Sequence, residues 1–238
     1  GACRQGTAVD GGTLTTGTQN GGDYYQSASW VVNNGATLVS GSNNILVNTA
    51  IVTANTGGTW NTNSKQEALA YFAGGGNITN MSFAGTAMTL DMGTTGSGSD
   101  FSGTISGSGN LLVRGANAGG TTSTQIFSGP NAYTGTTTIS AGVLNIRNAT
   151  ALGTTAAGTS VTAGAALQIQ NGITVGNESL TLNGTGISSD GALRNISGTN
   201  VWQGTVTLGS AARINSDAGS LTFNTAANSI TATNQNLT

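Results

Sequence analysis

Eight carboxylic acids, six basic residues and no histidine make up the charge-bearing inventory of this 238-residue chain. Without an imidazole, the commonest general base and the usual zinc ligand are missing. Ser-His-Asp and Cys-His machinery is therefore excluded, and the many serines have no base at hand. Carboxylate chemistry remains open, because glycoside hydrolysis needs only two acids facing one cleft. The acids are Asp10, Asp23, Glu67, Asp91, Asp100, Glu178, Asp190 and Asp217. Their spacing allows two encounters: Asp91 with Asp100, and Asp190 with Asp217 on successive coils of a repetitive fold. Isolated acids in turns are more often solvated or bonded to their own backbone. The reading is a non-enzyme with no catalytic residue, no metal site and no cofactor.

Other residue types point to binding rather than turnover. The aromatics Tyr24, Tyr25, Trp30, Trp60, Tyr71 and Phe72 could form a contact surface, a cap or a sugar-stacking platform, although packing is the commoner fate of such rings. Gly96-Ser97-Gly98-Ser99-Asp100 is similar to one unit of a calcium-binding nonapeptide. That motif works by tandem repetition, so a single copy reads as a glycine-serine turn. Thr-x-Thr triples at 136–138, 205–207 and 231–233 would suit an ice-binding face only if they recurred strictly, and in the sequence their spacing wanders. Asn-x-Ser/Thr acceptors occur at Asn77, Asn80, Asn148, Asn177, Asn183, Asn195 and Asn236. Arg4, Lys65, Arg114, Arg147, Arg194 and Arg213 are too scattered to neutralise a phosphate backbone, which removes nucleic acid as a partner. Cys3 cannot pair within the chain and reads as an incidental thiol.

The elements that would position these groups are short strands. Thirty-nine glycines, one proline, 6% charged residues and 36% hydrophobic residues depart from ordinary globular composition. Disorder would call for low hydrophobicity with high net charge, whereas the formal net charge is −2. The apolar residues fall in short β-branched runs. One phrase recurs, a glycine and one or two small residues followed by Leu or Val. It stands at Gly35-Ala36-Thr37-Leu38, Gly142-Val143-Leu144, Gly164-Ala165-Ala166-Leu167, Gly191-Ala192-Leu193 and Gly219-Ser220-Leu221. The last four of these glycines are 22, 27 and 28 residues apart, the period of a solenoid coil. Each coil would hold two or three strands, and no coil could bury its apolar face alone, so stacking must do it. That predicts about nine coils in a rod of roughly 45 Å.

Residues 1–99 repeat less cleanly and read as irregular N-terminal coils; residues 100–238 read as a regular shaft, with the boundary in the glycine-rich stretch 93–99. Ser64-Lys65-Gln66-Glu67, followed by Ala68-Leu69-Ala70-Tyr71-Phe72 and Gly74-Gly75-Gly76, has the pattern of a capping box and predicts a helix over 64–73 that covers an open edge of the stack. Ser189-Asp190-Gly191 and Ser216-Asp217-Ala218-Gly219 read as related turns, with the two carboxylates as turn formers.

From Phe101 onward the chain resembles the autotransporter-associated β-strand repeat of bacterial surface proteins. The resemblance rests on Phe101-Ser102-Gly103-Thr104-Ile105-Ser106-Gly107, on Asn131-Ala132-Tyr133-Thr134-Gly135-Thr136-Thr137-Thr138-Ile139-Ser140-Ala141-Gly142-Val143-Leu144-Asn145-Ile146, and on Ala151-Leu152-Gly153. It implies an all-β, right-handed parallel β-helix outside the cell, serving as a passenger or shaft. In that reading Tyr133 and Ile139 anchor inward while Gly135 and Gly142 make tight turns. Parallel β-helices also include polysaccharide lyases and hydrolases, which keeps a carbohydrate-binding or degrading role as an alternative.

The expected function is thus a non-catalytic, extracellular structural or adhesive rod at the bacterial cell surface. Its expected partners are itself, end to end or laterally, or a glycan or protein of a host or environmental surface. Sparse charge on open end strands keeps a self-assembling filament as a further alternative. No stretch approaches the roughly 20 apolar residues of a membrane span.

Overall fold

A strand of three to five residues has room for only one or two inward side chains, and the structure builds its core by repeating such strands in register. A computed structural model describes residues 7–17, 29–46, 48–82, 87–92, 98–115, 123–224, 230–232 and 235–238. The fold is all-β, with parallel sheets stacked as a β-solenoid of about 8 turns. This is close to the nine coils expected.

The chain visits three faces in turn. Face one begins as a four-stranded sheet, Thr7–Val9, Ser29–Val32, Ile51–Ala54 and Tyr71–Ala73. A bridge from Gly74 to Phe101 links it to a six-stranded sheet of Ser99–Phe101, Thr124–Phe127, Gly142–Ile146, Ala165–Ile169, Leu193–Asn195 and Ile214–Ser216. Face two runs from Gly12–Thr15 through Ala36–Val39, Thr59–Asn61, Asn77–Thr79 and Thr104–Gly107 to Ala132–Tyr133, and has a separate upper part in Thr174–Val175, Thr199–Trp202 and Ser220–Phe223. Face three is an eight-stranded sheet from Ala68–Leu69 to Ile230–Ala232.

Register turns single residues into columns. On face one, Phe101, Phe127, Ile146 and Ile169 are successive partners. On face three, Leu90, Val113, Ile139, Val161, Leu182 and Leu208 are. All ten side chains are within 4% of full burial. One core cluster of described residues extends from Val9 to Ala212. Within it the Phe72 ring lies 6.0 Å from Trp60, 5.9 Å from Phe101 and 6.4 Å from Phe127. Phe72 and the others there are buried on all sides, in contacts that favour offset or edge-on rings. The glycine opening each repeated phrase has a backbone that only glycine adopts readily: φ is 75° at Gly35, 75° at Gly142, 84° at Gly164, 121° at Gly191 and 79° at Gly219.

The helix expected over 64–73 does not form. Asn63 and Ser64 are left-handed, with φ of 52° and 55°, and the segment continues as the strands Ala68–Leu69 and Tyr71–Ala73. Glu67 does not reach back to cap. It turns inward, where its Oε2 accepts the Leu46 N–H at 3.2 Å. Strand pairing lets Leu69, Tyr71 and Phe72 all enter the core, and the tertiary gain outweighs the local capping signal.

Candidate functional site: an outer cleft around Arg194

The aromatics singled out above do not form a surface. Trp30, Trp60, Tyr71 and Phe72 are 2% exposed or less, so their reading as a contact surface or sugar platform gives way to packing. Tyr24 and Tyr25, like Cys3, lie outside the described residues. Asn195, one of the glycosylation acceptors, is fully buried and donates to Ser216 Oγ and the Ala218 carbonyl.

Asp10 accepts the Asn33 side-chain amide, Asp23 lies outside the described residues, and the other six acids fall into three pairs. Asp91 and Asp100 do not meet: Asp91 pairs with Arg114 at 3.0 Å, and Asp100 accepts the Ser128 hydroxyl at 2.6 Å. Glu67 and Glu178 are enclosed within the solenoid. Burial pushes the Glu67 carboxyl up to about 7, against the lowering effect of the Leu46 N–H. It pushes Glu178 up to about 7 as well, against the Thr159 hydroxyl, which donates to it at 2.9 Å. Nearby, the buried Tyr133 hydroxyl shares a 2.6 Å bond with Thr137, and its pKa is raised first by burial and further by the Glu178 charge. Raised carboxyl pKa values accompany active sites, but Glu67 and Glu178, at 0% and 4% exposure, offer no surface to a substrate.

Asp190 and Asp217 do come together, and Arg194 is the reason. Its Nη1 lies 3.1 Å from Asp190 Oδ2, its Nη2 lies 2.8 Å from Asp217 Oδ2, and its Nε donates to both Asp217 oxygens at 3.0 and 2.9 Å. The Asp217 bond, then the two carboxylate charges, raise the Arg194 pKa. Asn215 also donates to Asp217 at 2.8 Å. These carboxylates are therefore held by a guanidinium, beyond the turn-forming role expected of them. An acid–nucleophile pair for glycoside cleavage needs carboxyls that face the substrate, and here one side of each faces Arg194.

Two members of this ion triad, Asp190 and Arg194, line an open cleft of about 270 Å³ on the outer side of face one. Its floor is Val143 and Ala166, register partners on adjacent strands. They are 1% and 3% exposed yet stand apart from the main core cluster, because they point outward. The wall is an excursion between the strands Ser179–Gly184 and Leu193–Asn195. It contains a one-turn 3-10 helix, Ile187–Ser189, in which Ser188 and Ser189 have φ of 51° and 61°. Consecutive non-glycine residues in this region carry strain that the surroundings must hold. The Gly191 N–H to Thr185 carbonyl bond at 2.9 Å closes the excursion. Gln168 completes the rim and is held from behind by Asn145, which donates to Gln168 Oε1 and to Gln170 Oε1, both at 3.1 Å.

The hydroxyls of face three are more regular than their spacing in the sequence. Thr138, Ser160, Thr181, Thr207 and Thr231 occupy one outward column, in register across five strands. The adjoining outward positions of those strands carry no charge. Among the described residues, no group of three or more His, Cys, Asp or Glu side chains is placed to hold a metal ion, and no helix is long and apolar enough to cross a membrane.

Comparison with known proteins returns no matching family model, curated protein or solved structure.

Sequence reasoning missed the inward-facing amides. Gln125 is fully buried; its Oε1 accepts the Phe72 N–H at 3.0 Å, and its Nε2 donates to the carbonyls of Phe72 and Ser99 at 3.1 and 3.0 Å. The side chain stands where a backbone amide would otherwise continue the ladder. Asn131 does the same for Ile105 N–H and Ala151 carbonyl, and Asn200 for Ile173 N–H. A polar residue at an inward position of an alternating strand is the one signal the sequence offered.

Proposed function

We propose that this chain is a non-catalytic structural or adhesive rod of an extracellular bacterial surface protein, built from repeats of the autotransporter-associated kind. The observation that carries the reading is the stack of parallel sheets, one of them eight strands long, around a single core cluster, which makes a stiff shaft of a chain with 6% charged residues. The repeat assignment draws support from Tyr133 and Ile139, both fully buried, and from Gly142, which turns the corner between faces three and one. The non-catalytic assignment draws support from the engagement of Asp190 and Asp217 by Arg194 and the enclosure of Glu67 and Glu178.

The test uses the purified chain in two assays. Incubated with neutral and acidic polysaccharides, it should release no reducing ends and no unsaturated uronate. Turnover of any of them, abolished in an Asp190→Asn/Asp217→Asn variant, overturns the non-catalytic reading. Coated on beads and pulled from glycan-bearing or cell surfaces, it should transmit force without unfolding; collapse at low force overturns the shaft. A filament reading predicts concentration-dependent growth in size-exclusion chromatography, and a monodisperse monomer at high concentration removes it.

A further inference from the structure

We propose that the cleft around Arg194 is a binding site for a neutral hydroxylated ligand, a sugar unit of an uncharged glycan; this deepens the adhesive half of the reading above and rests on it. Three independent features of the cleft point to this chemistry.

The first is the division between floor and rim. Ile187, half-buried above the covered Val143 and Ala166, gives an apolar contact for the C–H face of a sugar ring. The rim offers unused hydrogen-bonding groups: among the described residues, Gln168 Nε2, Ser188 Oγ and Asp190 Oδ1 make no hydrogen bond with the protein, while their neighbouring atoms are fixed by Asn145 and Arg194. A carboxylate oxygen that accepts and an amide that donates, placed beside the apolar Ile187 side chain, match adjacent hydroxyls on a ring.

The second is charge. Arg194 with Asp190 and Asp217 sums to a formal charge of −1. The guanidinium is already engaged by both acids, so the site is built against phosphates, sulfates and uronates. A low-charge wall that repels anions selects as much as the contacts that attract.

The third is construction. Corners from face three to face one vary in length: those at 140–141 and 162–164 take two and three residues, whereas the passage at 185–192 takes eight. This one is held in left-handed backbone at Ser188 and Ser189, and such strain concentrates at ligand sites. The cleft volume of about 270 Å³ is just under the roughly 300–1,000 Å³ of sites for drug-sized ligands. The occupant is therefore a short segment of a chain that continues into solvent through the open side.

The experiment is titration calorimetry and saturation-transfer NMR on the whole chain with four neutral trisaccharides (cellotriose, maltotriose, mannotriose and chitotriose) and with trigalacturonate. At least one neutral trisaccharide should bind with a Kd in the millimolar range or tighter. Gln168→Ala should weaken that binding at least tenfold with an unchanged unfolding midpoint. Asp190→Asn, which brings the triad to zero charge, should weaken it too and should admit trigalacturonate, which the parent chain rejects. Absence of binding by all four neutral probes overturns the site, as does equal binding of trigalacturonate by the parent chain, or neutral binding that survives Gln168→Ala and Asp190→Asn. A negative result here with an intact force response on beads refutes the sugar site alone; low-force collapse refutes the shaft.

Discussion

Replacing Glu67 by Gln should make the solenoid less sensitive to rising pH, and the size of the effect follows from where the carboxyl sits. Glu67 has no exposed surface. Its Oε2 accepts the Leu46 N–H at 3.2 Å, its Oε1 is buried without a hydrogen-bond partner, and the Trp60 indole donates to Ser40 Oγ at 3.2 Å. Burial raises the carboxyl from 4.5 to about 7 in the folded state. The folded protein therefore holds this proton at pH values where the unfolded chain has released it. Stability from this group is complete below about pH 4.5 and is lost as pH climbs through 7. A proton held by the folded state alone is worth about 1.36 kcal/mol for each pH unit, so the loss over that window is about 3 kcal/mol. Glutamine keeps an acceptor oxygen for the Leu46 N–H and has no proton to lose. Urea unfolding at about pH 4.5, 6 and 7.5, followed by tryptophan fluorescence because Trp60 adjoins the site, should show the parent chain falling more steeply than Glu67→Gln by about 3 kcal/mol between the extremes. All other acids are common to both proteins, so the difference of differences isolates this one. Parallel pH curves would refute the argument that Glu67 is desolvated.

Three further outcomes follow from the packing. Gln125→Leu should cost about 2–4 kcal/mol, since it strands the N–H and carbonyl of Phe72 in the core; hydrogen exchange at the Phe72 amide reads the loss locally. Gly142→Ala should cost at least about 1–2 kcal/mol from the left-handed backbone alone, with more from its Cβ, which would lie 2.8 Å from Met92 Cε and 3.0 Å from the Ser123 carbonyl oxygen; a lowered thermal midpoint checks it, and an unchanged one contradicts it. Tyr133→Phe should destabilise by about 1–2 kcal/mol, because Thr137 Oγ1, its 2.6 Å partner, is left buried and unpaired; the matched Tyr133→Phe/Thr137→Val pair should recover part of that loss.

The architecture was legible because a solenoid writes its period into the chain. The glycines at 142, 164, 191 and 219 mark corners that require positive φ, and alternation in runs such as Val206–Leu208 marks which side chains face in. The helix over 64–73 misled because the capping-box residues are local signals, and only the assembled stack offers Leu69 and Phe72 a better place. The cleft was half legible: the sequence allowed Asp190 and Asp217 to meet, and Arg194 stood between them in the chain. What it could not supply was the three-body pairing, since Arg194 reaches four residues back to one acid and 23 forward to the other.

By itself, then, the sequence determined the stacking mode, the absence of imidazole chemistry and the low charge, all of which follow from composition and short-range periodicity. Only the tertiary structure decided which polar side chains are load-sharing members of the ladder, as with Gln125, Asn131 and Asn200, and which line the outer cleft. The physical reason is register. Residues roughly 20 to 28 apart become neighbours at the spacing of adjacent strands, roughly 4.8 Å, and corners of unequal length set which of them align. That is why hydroxyls with irregular spacing in the sequence form one column on face three, and why an excursion of a few residues at 185–191 lies beside outward side chains from strands far earlier in the chain.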